Sequence, residues 1–404
     1  MKVVLITPIT PYKENLRGTS GIQYHLLVER PADVEVSIYT FNLNDLTEEQ
    51  INDVEKELNA QIVLMPKPKF RECVLKWHLM FIRVFIRYPI FYYMSLEERY
   101  VKEIKASNPD CIWIYGEECG RISKQFKEYR RIHTLPDAES LYYYRMMQQR
   151  FVRENIILYL RQKIMYPKYV ALEKAFDSSS NIHYHLVGEE DVKFLKTHNP
   201  KIQVHFIRHP HYEIAEPQKV IEFSKPKIKI LIAGRNDLYM HQSATELIHA
   251  LIEDKLHDHS GLDLSDHYIF TFLGKGWEQE VEKLRNAGYE VNHIKFAPNY
   301  IEEVRKHDVQ ITPITIGTGT KGKVLDALAN GLMVIGTRYA LENIAVKNGE
   351  SCVQYENARD VVDILKEMIH NLRKYEDIAE HGRRMVCQKH NRAVVSDQLF
   401  RYVL

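Results

Sequence analysis

Short apolar runs rich in β-branched residues alternate with stretches of helical periodicity along almost the whole chain of 404 residues. The runs lack strict alternation of polar and apolar residues, which is typical of buried parallel strands covered by helices on both faces. In the first half we expect strands at Val3–Thr7, Val34–Tyr39, Gln61–Leu64, Cys111–Tyr115, Arg131–Thr134, His183–Val187 and Val204–Ile207. This order predicts an α/β domain built around a doubly wound sheet.

The same pattern restarts after a segment that contains three prolines. Residues 208–227 carry Pro210, Pro217 and Pro226 and show no clear period, so we interpret them as a linker. Beyond them we expect strands at Ile228–Ala233, Tyr268–Leu273, Val291–Ile294, Val309–Pro313, Met333–Gly336 and Cys352–Gln354. The prediction is two doubly wound, Rossmann-like domains, residues 1–207 and 228–374, that face each other across a ligand-binding cleft. Helices within residues 375–404 are expected to pack back on the first domain.

Composition narrows the class of protein. The 55 Lys and Arg residues balance 54 Asp and Glu residues, which argues against a nucleic-acid binder with a basic surface. No apolar stretch is long enough to span a membrane, and the five cysteines form no zinc-binding spacing. We therefore expect a cytoplasmic enzyme with reduced thiols and no bound metal.

The most informative segment is a glycine-rich loop with two lysines, Gly317-Thr-Gly-Thr-Lys-Gly-Lys323, after the fourth expected strand of the second domain. Glycines let the backbone approach a ligand closely, and free N–H groups at a helix start attract phosphate. Lys321 and Lys323 would add positive charge, and Asp326 would accept a hydrogen bond from a ribose hydroxyl. The segment predicts a nucleotide-binding loop. The structural alternative is a tight strand-to-helix turn with solvated lysines.

The same loop also fits the dinucleotide-binding fingerprint G-x-G-x-x-G at Gly317, Gly319 and Gly322, with Glu342 20 residues further on. An NAD(P)-dependent oxidoreductase is therefore an alternative function. Against it, the loop follows the fourth strand of its domain, whereas the fingerprint follows the first.

Other expected strand ends in the second domain carry residues suited to the same ligand. Gly234 and Arg235 close its first strand, and Arg235 and the lysines of the loop would converge on one phosphate. Gly274 closes the next strand, and the Phe296-Ala-Pro segment would contact the base.

In this order, residues 228–360 resemble the donor domain of GT-B glycosyltransferases of family 4, the glycosyl transferases of group 1. The resemblance implies that Arg235 and Lys323 hold the donor diphosphate and take part in catalysis, and that Asp326 binds the ribose. It further implies a donor site that also includes Gly234, Gly274, Phe296, Gly317, Thr318, Gly319, Thr320 and Lys321. A UDP- or GDP-sugar would be the co-substrate, with Arg235 and Lys323 in place of a metal.

The sequence departs from the family pattern at two points. A pair of glutamates eight positions apart would fall on Thr318 and Asp326, and the usual lysine shortly after the arginine is replaced by Tyr239-Met-His241. A non-catalytic, nucleotide-sugar-binding partner subunit of the same fold is therefore a second alternative function.

The first half resembles the acceptor domain of that family. Gly18-Thr-Ser-Gly21-Ile-Gln-Tyr-His25 follows the first strand, which implies acceptor contacts from Gly21, Ile22 and His25. His133 and Asp137 resemble the loop that faces the donor sugar, although a core histidine and a helix N-cap are the structural alternatives. The implied reaction is retaining transfer of a sugar to a glycan or glycolipid, in surface polysaccharide assembly.

One segment breaks the overall charge balance. Residues Lys67–Met94 combine six basic residues and one acid with many aromatic residues, and in a helix Lys76, Arg83 and Arg87 would share one face. This pattern predicts either a peripheral contact with the inner face of the membrane or a sheet-covering helix whose basic side chains reach solvent.

Overall fold

The computed structural model describes residues 1–16, 19–148, 156–257 and 261–402. The chain divides into two compact units. Unit 1 consists of Met1–Pro210 and Arg392–Leu404, and unit 2 of His211–Asn391. Among the described residues, no helix is long and apolar enough to cross a membrane.

Unit 1 is built on a sheet of seven parallel strands in the order β3-β2-β1-β4-β5-β6-β7. The strands are β1 (Lys2–Thr7), β2 (Glu35–Thr40), β3 (Gln61–Leu64), β4 (Cys111–Tyr115), β5 (Arg131–Leu135), β6 (Ile182–Leu186) and β7 (Val204–Phe206). Every residue of β4 and β5 is buried, and the sequence of β4 is accordingly apolar without alternation. The sequence of β5 includes the buried polar residues Arg131, His133 and Thr134. The chain order reverses between β1 and β4, and open α/β sheets bind ligands at such a point.

Helices cover this sheet on both faces. They are α1 (Ser20–Val28), α2 (Glu48–Leu58), α3 (Lys69–Lys76), α4 (Glu98–Ala106), α5 (Gly120–Ser123), α6 (Glu139–Gln148), α7 (Ile156–Lys174) and α8 (Glu189–His198). Local signals set their ends: α2 follows a capping box in which the Thr47 hydroxyl accepts from the Gln50 N–H and the Gln50 side chain accepts from the Thr47 N–H.

Unit 2 repeats this architecture with six strands in the order β10-β9-β8-β11-β12-β13. The strands are β8 (Ile228–Ala233), β9 (Tyr268–Leu273), β10 (Glu290–Ile294), β11 (Val309–Thr312), β12 (Met333–Gly336) and β13 (Val353–Gln354). The helices are α9 (His241–His257), α10 (Leu264–His267), α11 (Glu278–Asn286), α12 (Tyr300–Val304), α13 (Gly322–Ala329), α14 (Arg338–Leu341), α15 (Ala358–His370) and α16 (Leu372–Lys389). The order of its strands reverses between β8 and β11, which places the ends of those two strands side by side.

The end of the chain is shared between the units. Helix α16 packs in unit 2, where Val386 is fully buried. The last helix, α17 (Arg392–Asp397), and the π-helical turn Gln398–Tyr402 belong to unit 1. There Phe400 packs edge-on against Trp113 of β4, with ring centres 5.5 Å apart. The return to unit 1 thus begins at residue 392, whereas the sequence prediction started it at residue 375.

Residues 211–227, part of the predicted linker, lie against unit 2. The side chain of Phe223 is 1% exposed, and its N–H donates to the carboxylate of Glu376 at 2.8 Å. Lys219 pairs with the buried Asp308 at 2.7 Å. These contacts attach the segment to the body of the unit.

The segment Lys67–Met94 does not form the single helix that its sequence predicts. Helix α3 ends at Lys76, His78 has a left-handed φ of +52°, and 3₁₀ turns follow at Leu79–Val84 and Ile90–Tyr93. The predicted common face of Lys76, Arg83 and Arg87 is therefore wrong, because the left-handed residue interrupts the helix between them.

Candidate functional site

Two glycines allow the ends of β8 and β9 to approach closely. A Cβ atom on Gly274 would lie 2.0 Å from the carbonyl oxygen of Gly234, so only glycine fits at position 274. The same carbonyl accepts a hydrogen bond from the Trp277 indole at 2.8 Å. Arg235 follows directly and has an exposed side chain at the carboxyl end of the sheet.

The glycine-rich loop after β11 is held in shape by Lys321. Its ammonium group donates to the carbonyl oxygens of Thr318 at 2.5 Å and Gly319 at 3.2 Å. The Asn343 amide also donates to the Gly319 carbonyl at 2.9 Å. Gly317 and Gly319 have φ values of +154° and +60°, which favour glycine. Lys321 is thus engaged by its own loop, between Thr318 and the first turn of α13.

Lys323 takes a different position, in the first turn of α13. The side chain is largely exposed, but its ammonium nitrogen lies 4.5 Å from the centre of the Tyr300 ring. This distance is within the range of a cation–π contact. Burial of the ammonium lowers the pKa of Lys323, and the nearby Asp326 opposes that shift.

Asp326 lies one turn further along α13 and is 7% exposed. Burial raises the pKa of its carboxyl to about 7, an effect that Lys323 counters and Glu213 strengthens. The hydroxyl of Tyr300 is buried and has no hydrogen-bond partner within the described part of the chain. Lys323, Tyr300 and Asp326 therefore form a partly desolvated group with unused hydrogen-bonding capacity beside the loop.

The structure brings the predicted donor residues to one edge of the unit 2 sheet. Arg235 follows β8, and the loop with Thr318 and Thr320 follows the adjacent β11. Phe296 follows β10 and is 76% exposed. Tyr300 and Glu213 were missed by the sequence reasoning. Tyr300 lies four positions after Phe296, so its closeness to a predicted site residue could have identified it. No sequence motif near Glu213 pointed to a role for that residue.

His133 lies inside unit 1, on β5, and its side chain is fully buried. Its Nε2 is 2.8 Å from the carbonyl oxygen of Gly116, and its ring lies beside Phe176 and Tyr184. Burial lowers its pKa to about 4, so the imidazole is neutral at pH 7. These contacts fit the structural alternative of a core histidine.

The residues predicted to contact the acceptor lie on α1. Ile22 and His25 are 2% and 4% exposed, and Gly21 donates its N–H to the Asn15 side chain at 3.0 Å. The His25 ring binds the carbonyl oxygen of Lys13 at 2.9 Å. This helix therefore packs into unit 1 through these residues. Gly18, the start of the predicted acceptor loop, lies outside the described residues.

Asp137 is half-buried and lines a cavity of unit 1 at the carboxyl ends of β1, β4 and β5. The same cavity contains Glu117, Glu118 and Glu139, which the sequence reasoning did not single out. No motif marked them, because they come from two different strand ends. In the described parts of both units, no group of three or more His, Cys, Asp or Glu side chains is placed to hold a metal ion.

Two doubly wound parallel sheets define the GT-B fold, and several solved structures share it. HepE from Anabaena, solved in complex with UDP, is 13% identical, with a TM-score of 0.63 over 100% of this chain and 99% of that chain. Sucrose-phosphate synthase from Thermosynechococcus elongatus is 12% identical, with a TM-score of 0.64 over 100% and 98%. WaaG, a glycosyltransferase involved in lipopolysaccharide biosynthesis, is 11% identical, with a TM-score of 0.56 over 98% and 99%.

The family match lies in unit 2. Residues 227–371 match the family of glycosyl transferases group 1. No curated protein matches the chain in sequence. The predicted resemblance is confirmed for residues 227–371, which match glycosyl transferases group 1, and the chain has the GT-B fold.

Proposed function

We propose that this protein transfers a sugar from a nucleotide-sugar donor to a glycan or glycolipid acceptor, with retention of configuration, in the assembly of a surface polysaccharide. UDP- and GDP-sugars are the first donors to test. The observation that carries the proposal is the group of Lys323, Tyr300 and Asp326 beside the glycine-rich loop, inside the segment that matches glycosyl transferases group 1.

The arrangement suits the charge that develops on a leaving diphosphate. Lys323 and Arg235 supply positive charge, and the first turn of α13 supplies backbone N–H groups, since no side chain caps that helix. Asp326 accepts from the ribose hydroxyls. Thr318 offers no acid for the sugar, so electrostatic stabilisation and positioning of the acceptor hydroxyl dominate catalysis. HepE, which shares the fold, has been solved with UDP and with UDP-glucose, which supports a uridine nucleotide as the first choice.

The test is a thermal-unfolding panel of UDP-, GDP-, ADP- and CMP-sugars, with NAD⁺ and NADP⁺ as further ligands. A ligand at 100 times its Kd adds about 2.7 kcal/mol of stability. We expect one class of nucleotide sugar to stabilise the protein and to be consumed when acceptors are added. Stabilisation by NAD(P) alone would instead support an oxidoreductase. Donor binding without transfer or hydrolysis would support a non-catalytic partner subunit.

We also propose that the segment Lys67–Met94 contacts an anionic membrane surface, where a lipid-linked acceptor would be found. Three of its aromatic side chains, Trp77, Phe81 and Phe85, are 66%, 61% and 82% exposed. Exposed aromatic groups beside basic residues such as Lys76 and Arg83 favour the headgroup region of an anionic bilayer. The exposure of these rings supports contact through the 3₁₀ turns, without the continuous helix that the sequence predicted.

A further inference from the structure

Unit 1 contains a cavity that the donor chemistry does not use. Its volume is about 430 Å³, within the range of small-molecule binding sites. It is lined by Pro8 and Ile9 after β1, by Gly116 after β4 and by Pro136 after β5. The cavity therefore lies at the reversal of strand order between β1 and β4, where open α/β sheets bind ligands.

The walls of the cavity combine carboxyl groups with aromatic and apolar surface. The carboxyl groups belong to Glu117, Glu118, Asp137 and Glu139. The aromatic and apolar part includes Phe91, Met94, Tyr115 and Tyr169. Side chains of both kinds suit a sugar ring, whose hydroxyls donate to carboxylates and whose C–H face packs on aromatic rings.

Glu117 has an unused hydrogen-bonding atom. The residue is 6% exposed, and its Oε2 accepts from the backbone N–H of Glu139 at 3.3 Å. Its Oε1 is buried and has no hydrogen-bond partner in the described ranges of the chain. Burial, followed by the neighbouring carboxyls of Glu173 and Glu139, raises the pKa of Glu117. A buried, unpaired carboxyl oxygen costs stability, so a ligand group that forms a hydrogen bond with it binds more favourably.

The first backbone N–H groups of α6, at the edge of the cavity, are not available to bind a phosphate. The backbone N–H groups of Ala138, Glu139 and Ser140 donate to the carboxylates of Asp191 at 2.9 Å, Glu117 at 3.3 Å and Glu173 at 3.1 Å. Helix starts attract anions through such N–H groups, and here the protein's own carboxylates occupy them.

The charges around the cavity also disfavour an anion. Arg71 is the single cation among the described lining residues, and its guanidinium already pairs with Glu72 at 2.8 Å and lies over the Phe91 ring. Burial raises the pKa of Glu118 to about 7, and burial together with neighbouring carboxyls raises that of Glu139 to about 8. An added anion would raise these pKa values further, whereas an ammonium group would lower them, and a hydroxyl adds no charge.

We propose that this cavity binds a sugar ring of the acceptor that carries hydroxyl or ammonium groups and no anionic group, with a hydrogen bond between that ring and Glu117 Oε1. The inference rests on the proposed function, because it assigns the ligand to the acceptor side of that reaction. In this proposal Glu117 and Glu118 are specificity-determining residues, which disfavour binding of phosphorylated or carboxylated sugar rings in the cavity.

The test uses methyl glycosides with three kinds of substituent: neutral, 2-amino and 6-carboxylate, each in the gluco, galacto and manno configurations. Binding to the full chain is measured by ligand-observed NMR, and the affinities for UDP and GDP are measured in the same samples. We expect at least one neutral or amino ring to bind, and its carboxylate analogue to bind at least ten-fold more weakly. Glu117→Gln should weaken binding of the preferred ring at least five-fold.

Glu49→Gln, an exposed carboxylate on α2, is the matched control and should leave all affinities unchanged. Glu118→Gln is the second variant, since its side chain is half-buried and leaves the N–H of Glu139 paired. Equal binding of the carboxylate rings, no binding by any ring, or unchanged binding in both variants would overturn the inference. Nucleotide affinity separates the proposals. Binding of UDP or GDP without binding of any sugar ring rejects this cavity alone. Binding of a sugar ring without binding of either nucleotide rejects the donor function.

Discussion

The ammonium nitrogen of Lys323 lies 4.5 Å from the centre of the Tyr300 ring, and both side chains adjoin the buried carboxyl of Asp326. The ring holds the ammonium in place and removes part of its water shell before any ligand arrives. A diphosphate that binds there contacts an ammonium group that is already positioned and partly desolvated. The free-energy cost of desolvating and ordering the Lys323 side chain on binding is therefore smaller. In the proposed reaction this relationship organises the donor site.

Lys323→Ala should weaken UDP or UDP-sugar binding by about 10- to 100-fold, the loss expected for one charge-assisted hydrogen bond to phosphate. Arg235→Ala should act in the same direction, and neither change should lower the unfolding temperature greatly, since neither side chain is in the core. Calorimetric titration measures the effect. Lys283→Ala, an exposed lysine on α11, is the control. Unchanged affinity in both site variants contradicts the donor assignment.

Tyr300→Phe should leave the free energy of unfolding unchanged or raise it slightly, because the buried hydroxyl that it removes has no partner among the described residues. Tyr268→Phe provides the contrast. Its hydroxyl donates to the Leu365 carbonyl at 2.6 Å, so its loss should cost about 1–2 kcal/mol. Urea unfolding of the two variants checks the difference, and equal losses would show that the Tyr300 hydroxyl does have a partner.

Gly274→Ala should destabilise unit 2 by about 3 kcal/mol or prevent folding, because the new Cβ would lie 2.0 Å from the Gly234 carbonyl oxygen. Gly349→Ala is the matched control, with φ of +76° and no atom within 4 Å of the added carbon. It should cost only about 1 kcal/mol, from its backbone conformation alone. Similar losses in thermal unfolding would argue against the close approach of the two strand ends.

The stability of unit 1 should depend on the carboxyl cluster of its cavity. The pKa of Glu139 is raised from an ordinary value of 4.5 to about 8, by burial first and then by Asp137, Glu118, Glu173 and Asp191. The folded state therefore holds this proton more tightly than the unfolded state. Its stabilising effect is complete below about pH 4.5 and is lost as the pH rises to about 8.

Glu139→Gln removes this titration. The variant should therefore gain about 4 kcal/mol relative to the parent protein between pH 5 and pH 8.5. Chemical unfolding at the two pH values measures the gain, and Glu49→Gln, remote from the cavity, should follow the parent at both. Parallel curves for the parent and Glu139→Gln would refute the shift.

Replacing both Trp77 and Phe85 by Ser should reduce cosedimentation with vesicles containing 30% phosphatidylserine at least five-fold, because exposed rings supply apolar contact at the headgroups. The fold should not change, since both rings are more than 60% exposed. Val220→Ser, at an exposed apolar residue of unit 2, is the control. If the parent protein cosediments with neither anionic nor neutral vesicles, the membrane proposal is wrong.

The sequence alone determined the strands and their role. Cys111–Tyr115, Ile228–Ala233, Tyr268–Leu273 and Met333–Gly336 were predicted with the bounds that the structure has. Strands buried on both faces are enriched in apolar residues along their whole length, and this pattern is local, so it is visible in the sequence. The glycine-rich loop was visible because its glycines and lysines lie within seven consecutive positions.

Only the tertiary structure decided which distant residues meet. Lys323 and Tyr300 stand 23 positions apart, and Glu117 and Glu139 lie after different strands, so their contacts depend on strand order and helix packing. The position of His133 depends on tertiary packing for the same reason. This residue is buried beside the rings of Phe176 and Tyr184, and no local sequence pattern indicates that burial. The break of the helix at His78 was not predicted either. The helical periodicity of the sequence continues through this position, and no neighbouring residue indicates the left-handed backbone conformation of His78.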